Sequence, residues 1–166
     1  MKFNAMFSPI QIGPMTVKNR FVVPPMGNNF ANTDGTWSEQ SAAYYGERAK
    51  GQFGLITIEA SVVHQGAKGG PRKPCLYNDD SIESLKRITD ACHKEGAKVS
   101  VQLQNAGPEG NAKNAGAPIE AATAIQSSDG RDIPVEVPTE KVYELVKGYG
   151  EAAVRAMKAV SYTHLR

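Results

Sequence analysis

A chain of 166 residues, 40% hydrophobic and 22% charged, carries enough apolar side chain for one folded domain and excludes a disordered polyelectrolyte. Its 19 basic and 17 acidic side chains leave a net charge of +2, too even for a nucleic-acid binder or a protein of anionic membranes. Cys75 and Cys92 form no C-x-x-C pair, which argues against a disulfide framework or zinc site. No signal-peptide pattern and no apolar run of about 20 residues is present, so the expected setting is cytoplasmic.

Residues Ile10 to Val17 alternate apolar and polar on either side of Gly13-Pro14, which predicts a short hairpin. The stretch Arg20-Phe21-Val22-Val23-Pro24-Pro25-Met26-Gly27-Asn28-Asn29 sets the first core strand and its exit. It opens as an apolar strand and must stop at the prolines, which have no amide to donate to a ladder. Met26 to Asn29 then form a compact, glycine-bearing loop able to approach a ligand closely. Thr36-x-x-Glu39 has the spacing of a capping box and predicts a helix to about Lys50. Ala42, Tyr45 and Ala49 share its inner face, and Gly51 is the expected stop.

Residues Gly54 to Val63 are nearly continuous in apolar and β-branched side chains, the pattern of a strand covered on both faces. A Gly-, Lys- and Pro-rich loop runs from His64 to Asp79. Asp80-x-x-Glu83 is expected to cap the next helix, with Ile82, Leu85, Ile88 and Cys92 as its buried stripe and Gly96 as its end. Ala97 to Leu103 form the third strand. From Gln104 to Pro138 the chain turns to Asn, Ala, Gly, Pro and Ser; connections this long usually carry a binding loop or lid. Thr139 is the expected cap of a last helix whose apolar stripe is Val142, Leu145, Val146, Tyr149, Ala153, Ala156 and Val160.

A hairpin followed by β-α-β-α-β-α is the pattern of an α/β fold with a parallel sheet. Another strand is expected after Val160, but residues 161–166 do not continue the pattern. The expectation is therefore part of a larger fold: residues 1–160 as its N-terminal portion and 161–166 as a foreign tail. Loops after Val23, Ile58 and Val101 are its candidate site walls.

Six motifs stand in order: Met6-Phe7-Ser8-Pro9-Ile10 with Lys18-Asn19-Arg20-Phe21; Pro25-Met26; Tyr45-x-x-Arg48-Ala49-Lys50-Gly51; Gly54 to Ala60; and Val101-Gln102-Leu103-x-Asn105-Ala106-Gly107. Together they resemble the old yellow enzyme family of NADH:flavin oxidoreductases, including its 2,4-dienoyl-CoA reductase-like branch. The resemblance covers residues 5 to 160. It implies a (β/α)8 barrel closed at the bottom by the Ile10–Val17 hairpin, with about three of its eight units in this chain. It also implies FMN and a hydride passed from NADH or NADPH through the flavin to an activated C=C bond. The substrate class is an enone or enoyl thioester. Any iron–sulfur cluster would be held after the barrel, and the full-length protein is expected as a homo-oligomer.

By the same resemblance, Gln102 pairs with the flavin's pyrimidine edge, for which an amide offers both donor and acceptor. Pro24, Pro25 and Met26 pass beneath the ring and offer backbone groups near N5. Gly27 stands where many relatives carry Thr or Cys, leaving only backbone there, and Ala60 reaches the flavin through its backbone. Asn105 and Pro108 replace a histidine and an arginine of many relatives. The carbonyl-polarising residues and phosphate grip are expected beyond Val160, so the chain alone should be inactive, and His164 in the tail does not match. His64 and His93 read as loop and helix-surface residues. Cys75, near Arg72 and Lys73, would be reactive only with a lowered pKa, and a packing role is favoured. Two other readings stay open: an aldolase-like lyase on another barrel, for which Glu59 is the sole strand carboxylate, and a non-catalytic fragment.

Overall fold

The computed structural model describes residues 3–129 and 131–160; the 161–166 tail, with His164, lies outside the described residues. A single helical turn, α1 (Asn4–Phe7), precedes a hairpin of β1 (Ile10–Ile12) and β2 (Met15–Val17), with Ile10 opposite Val17. Gly13, at φ +55°, makes its turn in a region that other residues rarely adopt. The central sheet is β3 (Val22–Val23), β4 (Leu55–Val62) and β5 (Lys98–Gln104), parallel and in that order. Helices α2 (Glu39–Lys50) and α3 (Asp80–Lys94) provide the crossovers, and α5 (Thr139–Val160) follows β5.

Burial explains this arrangement. Ile56 and Ile58 of β4 and Val99 of β5 pack with Tyr45, Ala49, Leu85, Ile88 and Cys92 in one core under the helices. The sheet's other face is thinly covered: Leu55, Thr57 and Ser100 are half-buried, Val22 is exposed, and the Thr57 and Ser100 hydroxyls bond each other at 2.9 Å. The expectation that β4 is covered on both faces therefore holds fully for only one. Two core residues, Trp37 and Leu76, come from loops and are completely buried.

Helix ends differ in detail from their sequence signals. Ser38, not Thr36, caps α2, accepting from the Ser41 amide; Thr36 instead donates its amide and hydroxyl to Asp34 in a preceding turn. Gly51 stays at negative φ, and Gln52 makes the left-handed turn at φ +68°. At the start of α3 the cap position belongs to Asp79, whose carboxylate is drawn to Arg155 at 2.7 Å rather than to the helix amides. Gly96, at φ +72°, ends that segment as its position predicts. For α5, Thr139 is already helical, and the Pro138 carbonyl accepts from the amides of Lys141 and Val142.

The 105–138 connection is not structureless. It holds a turn of helix, α4 (Ala112–Ala115), capped by Asn111, and a small parallel pair, β6 (Glu120–Ala121) with β7 (Val135–Glu136).

The largest correction concerns α5. Its buried face is Ala152, Ala156 and Ala159, against α3 and β5. Of the predicted stripe Ala156 is buried, Leu145 and Ala153 are half-buried, Val142, Val146 and Tyr149 are exposed, and the Val160 side chain lies outside the described residues. Small side chains let the helix approach closely enough for the Ala159 carbonyl to accept from the Thr89 hydroxyl at 2.9 Å. Overpacking that face costs about 1–3 kcal/mol, whereas trimming an exposed side chain changes stability by about 0.5 kcal/mol at most. Urea titrations should therefore show Ala152→Leu clearly destabilised and Val146→Ser nearly silent; the reverse order would reinstate the predicted stripe.

Candidate functional site

Because the three sheet strands are parallel, their following loops leave from one end. Val23 pairs with Ile56 and ends β3, and Pro25 follows two residues later on the exit toward the strands' C-terminal end. On the other side Ile58 pairs with Val101 but Ser61 pairs with Leu103. Glu59 and Ala60 thus stand together opposite Gln102, a bulge of one extra residue in β4. Pro25, Ala60 and Gln102 accordingly share the C-terminal end of the sheet. Gln102 does not end its strand: β5 continues to Gln104, whose carbonyl accepts from the Val63 amide at 3.1 Å. Its side chain is exposed, as are Pro24, Met26 and Gly27; Pro25 and Ala60 are half-buried.

The bulge alters which side chains are buried. Strict alternation after Ile56 and Ile58 would bury Ala60, but Glu59 and Ser61 are the buried residues. The Glu59 carboxylate has no exposure; Oε2 accepts the Asn28 amide at 3.2 Å, and Oε1 has no partner among the described residues. Burial pushes its pKa above the ordinary glutamate value, while the Asn28 amide and the Lys73 charge act the other way. The Tyr45 hydroxyl accepts from the Glu59 amide at 2.9 Å and from the Asn28 side chain at 3.4 Å. Asn28 in turn accepts from the Phe30 amide through Oδ1, and Asn29 takes φ +58°, a conformation asparagine tolerates. One helix residue, one bulged strand residue and one loop residue therefore fix the segment that carries Met26 and Gly27. The amides of Met26 and Gly27 have no acceptor among the described residues.

The loop after β4 folds back over this segment. Val62 bridges Cys75, and the Cys75 amide donates to the Gly35 carbonyl at 2.8 Å. At Gly35, φ +91°, a Cβ would stand 2.6 Å from the Cys75 sulfur, so the two loops meet with no room for a side chain. Cys75 is completely buried, and burial raises its pKa, which agrees with packing rather than reactivity. Lys68, also buried, donates to the Thr33 carbonyl at 2.9 Å. The third loop joins through Ala106, whose amide donates to the Ala67 carbonyl, and Asn111, whose amide donates to that of Lys68.

Asn105 is turned into its own loop, accepting from the Gly107 amide at 2.9 Å, and Pro108 is exposed. His64 accepts from the Gly66 amide within its loop, and His93 sits half-buried on α3 with its pKa lowered mainly by burial. Among the described residues no cluster of ligating side chains could hold a metal ion. Sequence reading overlooked the Glu59–Asn28–Tyr45 arrangement and named Lys73 only as a neighbour of Cys75, not beside Gly27. A carboxylate inside an apolar strand run was the available signal for the first.

These residues fit a flat ring with polar edges. An exposed amide side chain on one strand faces solvent near a small residue, while the neighbouring loop offers unpaired amides and apolar Pro24 and Met26.

A sequence model of the NADH:flavin oxidoreductase / NADH oxidase family matches residues 5–161. The chain is 35% identical over 155 residues to an NADPH dehydrogenase of Bacillus subtilis (strain 168), covering 93% of this chain and 45% of that protein. It superposes on an old yellow enzyme homologue from Zymomonas mobilis with a TM-score of 0.86 at 30% identity, covering 93% of this chain and 46% of that one. A 2-naphthoyl-CoA reductase in complex with 2-naphthoyl-CoA gives a TM-score of 0.89 at 27% identity, covering 95% of this chain and 26% of that one. The chain thus spans a little under half the length of the curated relatives it matches. Its three β/α units and hairpin have the fold of the N-terminal part of a (β/α)8 barrel.

The raised Glu59 pKa has a definite sign. A carboxyl whose folded-state pKa lies above its unfolded one stabilises the fold below the unfolded value, about 4.3, and loses that contribution as pH rises through the folded value. Glu59→Gln keeps an acceptor for the Asn28 amide but cannot titrate. Relative to this variant, the parent should lose unfolding free energy as pH rises from about 4 through the raised folded-state pKa of Glu59; a difference independent of pH would show that Glu59 titrates normally.

Proposed function

From the premise that this chain belongs to the NADH:flavin oxidoreductase / NADH oxidase family, we propose that it forms one wall of an FMN site in a reductase of activated C=C bonds. The observation that carries the reading is the convergence of Pro25, Ala60 and Gln102 at one end of a parallel sheet, where barrel enzymes build their sites. FMN held there would supply the carrier for hydride transfer from NADPH or NADH to the substrate.

The chain's own residues hold and orient the ring. Gln102 donates and accepts at the pyrimidine edge from a rigid strand position. Pro24, Pro25 and Met26 line the opposite portion of the ring, with the unpaired amides of Met26 and Gly27 as donors. Ala60, half-buried beside the bulge, is small enough to let the ring approach the sheet. The substrate is an enone or an enoyl thioester. The thioester, and with it the 2,4-dienoyl-CoA reductase-like branch, is supported by the structural likeness to the reductase that binds 2-naphthoyl-CoA. With Asn105 and Pro108 in the third loop, neither position brings a charge to the site. The carbonyl-polarising residues are assigned beyond Val160, and no catalytic residue is assigned within this chain.

In the whole protein, Gln102→Leu leaves polar atoms of the ring unpaired, a loss of about 1–3 kcal/mol. FMN affinity should fall roughly ten- to hundred-fold, read by fluorescence titration of the apoprotein. Equal affinity in parent and variant would remove Gln102 from the site.

A further inference from the structure

Lys73 lies on the loop after β4 and reaches back over the loop after β3. Its stem passes Gly70, with Cγ and Cε 3.6 and 3.9 Å from where a Cβ of that glycine would stand. Its ammonium ends 2.8 Å from the corresponding point at Gly27. The space that a side chain at position 27 would fill is thus occupied by the tip of another residue. Any side chain there must displace it. Gly27 therefore acts as more than a missing group: it makes room for a cation.

That cation is half-buried, and among the described residues it makes no hydrogen bond and no ion pair within 4 Å. The acidic group facing it is Glu59, whose Oε2 lies 3.9 Å from the same Gly27 point and whose Oε1 has no partner. An ammonium has three protons to donate. Leaving them without protein acceptors at the mouth of a site is costly unless water or a ligand accepts them.

We propose that Lys73 presents its ammonium to the flavin beside the Pro24–Gly27 loop, in the place where a residue-27 side chain would otherwise stand. The proposal rests on the reading of this site as an FMN site. A fixed positive charge there favours the electron-rich reduced ring over the oxidised one and so raises the flavin's midpoint potential.

The test is the two-electron midpoint potential of the whole, FMN-loaded protein, measured by equilibration with a reference dye. Lys73→Met should shift the reduced-to-oxidised equilibrium about tenfold toward oxidised, or about 30 mV more negative. Lys73→Arg, which keeps the charge, should stay within about twofold of the parent. Gly27→Ala, which pushes the ammonium aside, should move the potential in the same direction as Lys73→Met, and it carries the test should Lys73→Met fail to fold. An unchanged potential in FMN-loaded Lys73→Met and Gly27→Ala proteins would overturn the proposal while leaving the FMN reading intact. Equal shifts in the Met and Arg variants would reduce Lys73 to packing and also overturn it. A whole protein that binds no FMN would defeat both.

Discussion

Between Ile58 and Ser61 the central strand carries two residues opposite one of its neighbour, and the arrangement of the sheet's C-terminal end depends on that mismatch. Before it, β4 sends Ile56 and Ile58 under the helices, as an ordinary half-buried strand does. After it, the parity of burial changes, and Glu59 becomes a fully buried side chain. A buried carboxylate must find donors, and the Asn28 amide supplies one. At Met26, 59% exposed, the loop after β3 has no apolar anchor, and that bond ties it to the middle strand two residues later; further on, Trp37 anchors the loop in the core.

Rigidity is therefore concentrated on one side of the site. The Tyr45 hydroxyl ties α2 to both Glu59 and Asn28, and the loop after β4 is fastened by Cys75, Gly35 and Lys68. Gln102 and the Met26–Gly27 tip, by contrast, stay exposed on this fixed frame. A frame fixed by its own hydrogen bonds, whose exposed groups keep unused hydrogen-bonding capacity, is suited to a ligand with polar edges.

Much of this was legible in the sequence because the signals are short-ranged. Gly13-Pro14 marks the hairpin turn, Pro24 ends β3, and Leu85, Ile88 and Cys92 keep helical spacing on the core face of α3. Motifs in register located Pro25, Ala60 and Gln102 at the C-terminal end of the sheet, although β4 runs on to Val62 and β5 to Gln104. The cap of α2 was misread for a local reason, Thr36 turning to Asp34 two residues before it, whereas the larger misreadings depended on partners distant in sequence. Asp79 is drawn from its helix to Arg155, and α5 buries alanines because α3 and β5 demand close approach. Trp37 and Leu76 enter the core from polar loops, where no periodicity marks them. The bulge is likewise invisible to alternation, since it depends on how β4 meets β5. Lys73 is hidden for the same reason: its tip lies beside a glycine more than forty positions away in the chain.

On the proposed function, a flavin lies across the C-terminal end of this sheet. The most direct measurement is a crystal structure of the whole protein with FMN bound. In it, the Gln102 side-chain amide is expected about 3 Å from the pyrimidine edge of the ring, with the Pro24–Gly27 backbone alongside its other portion. A ring bound elsewhere, or Gln102 turned to solvent with the flavin in place, would contradict that placement.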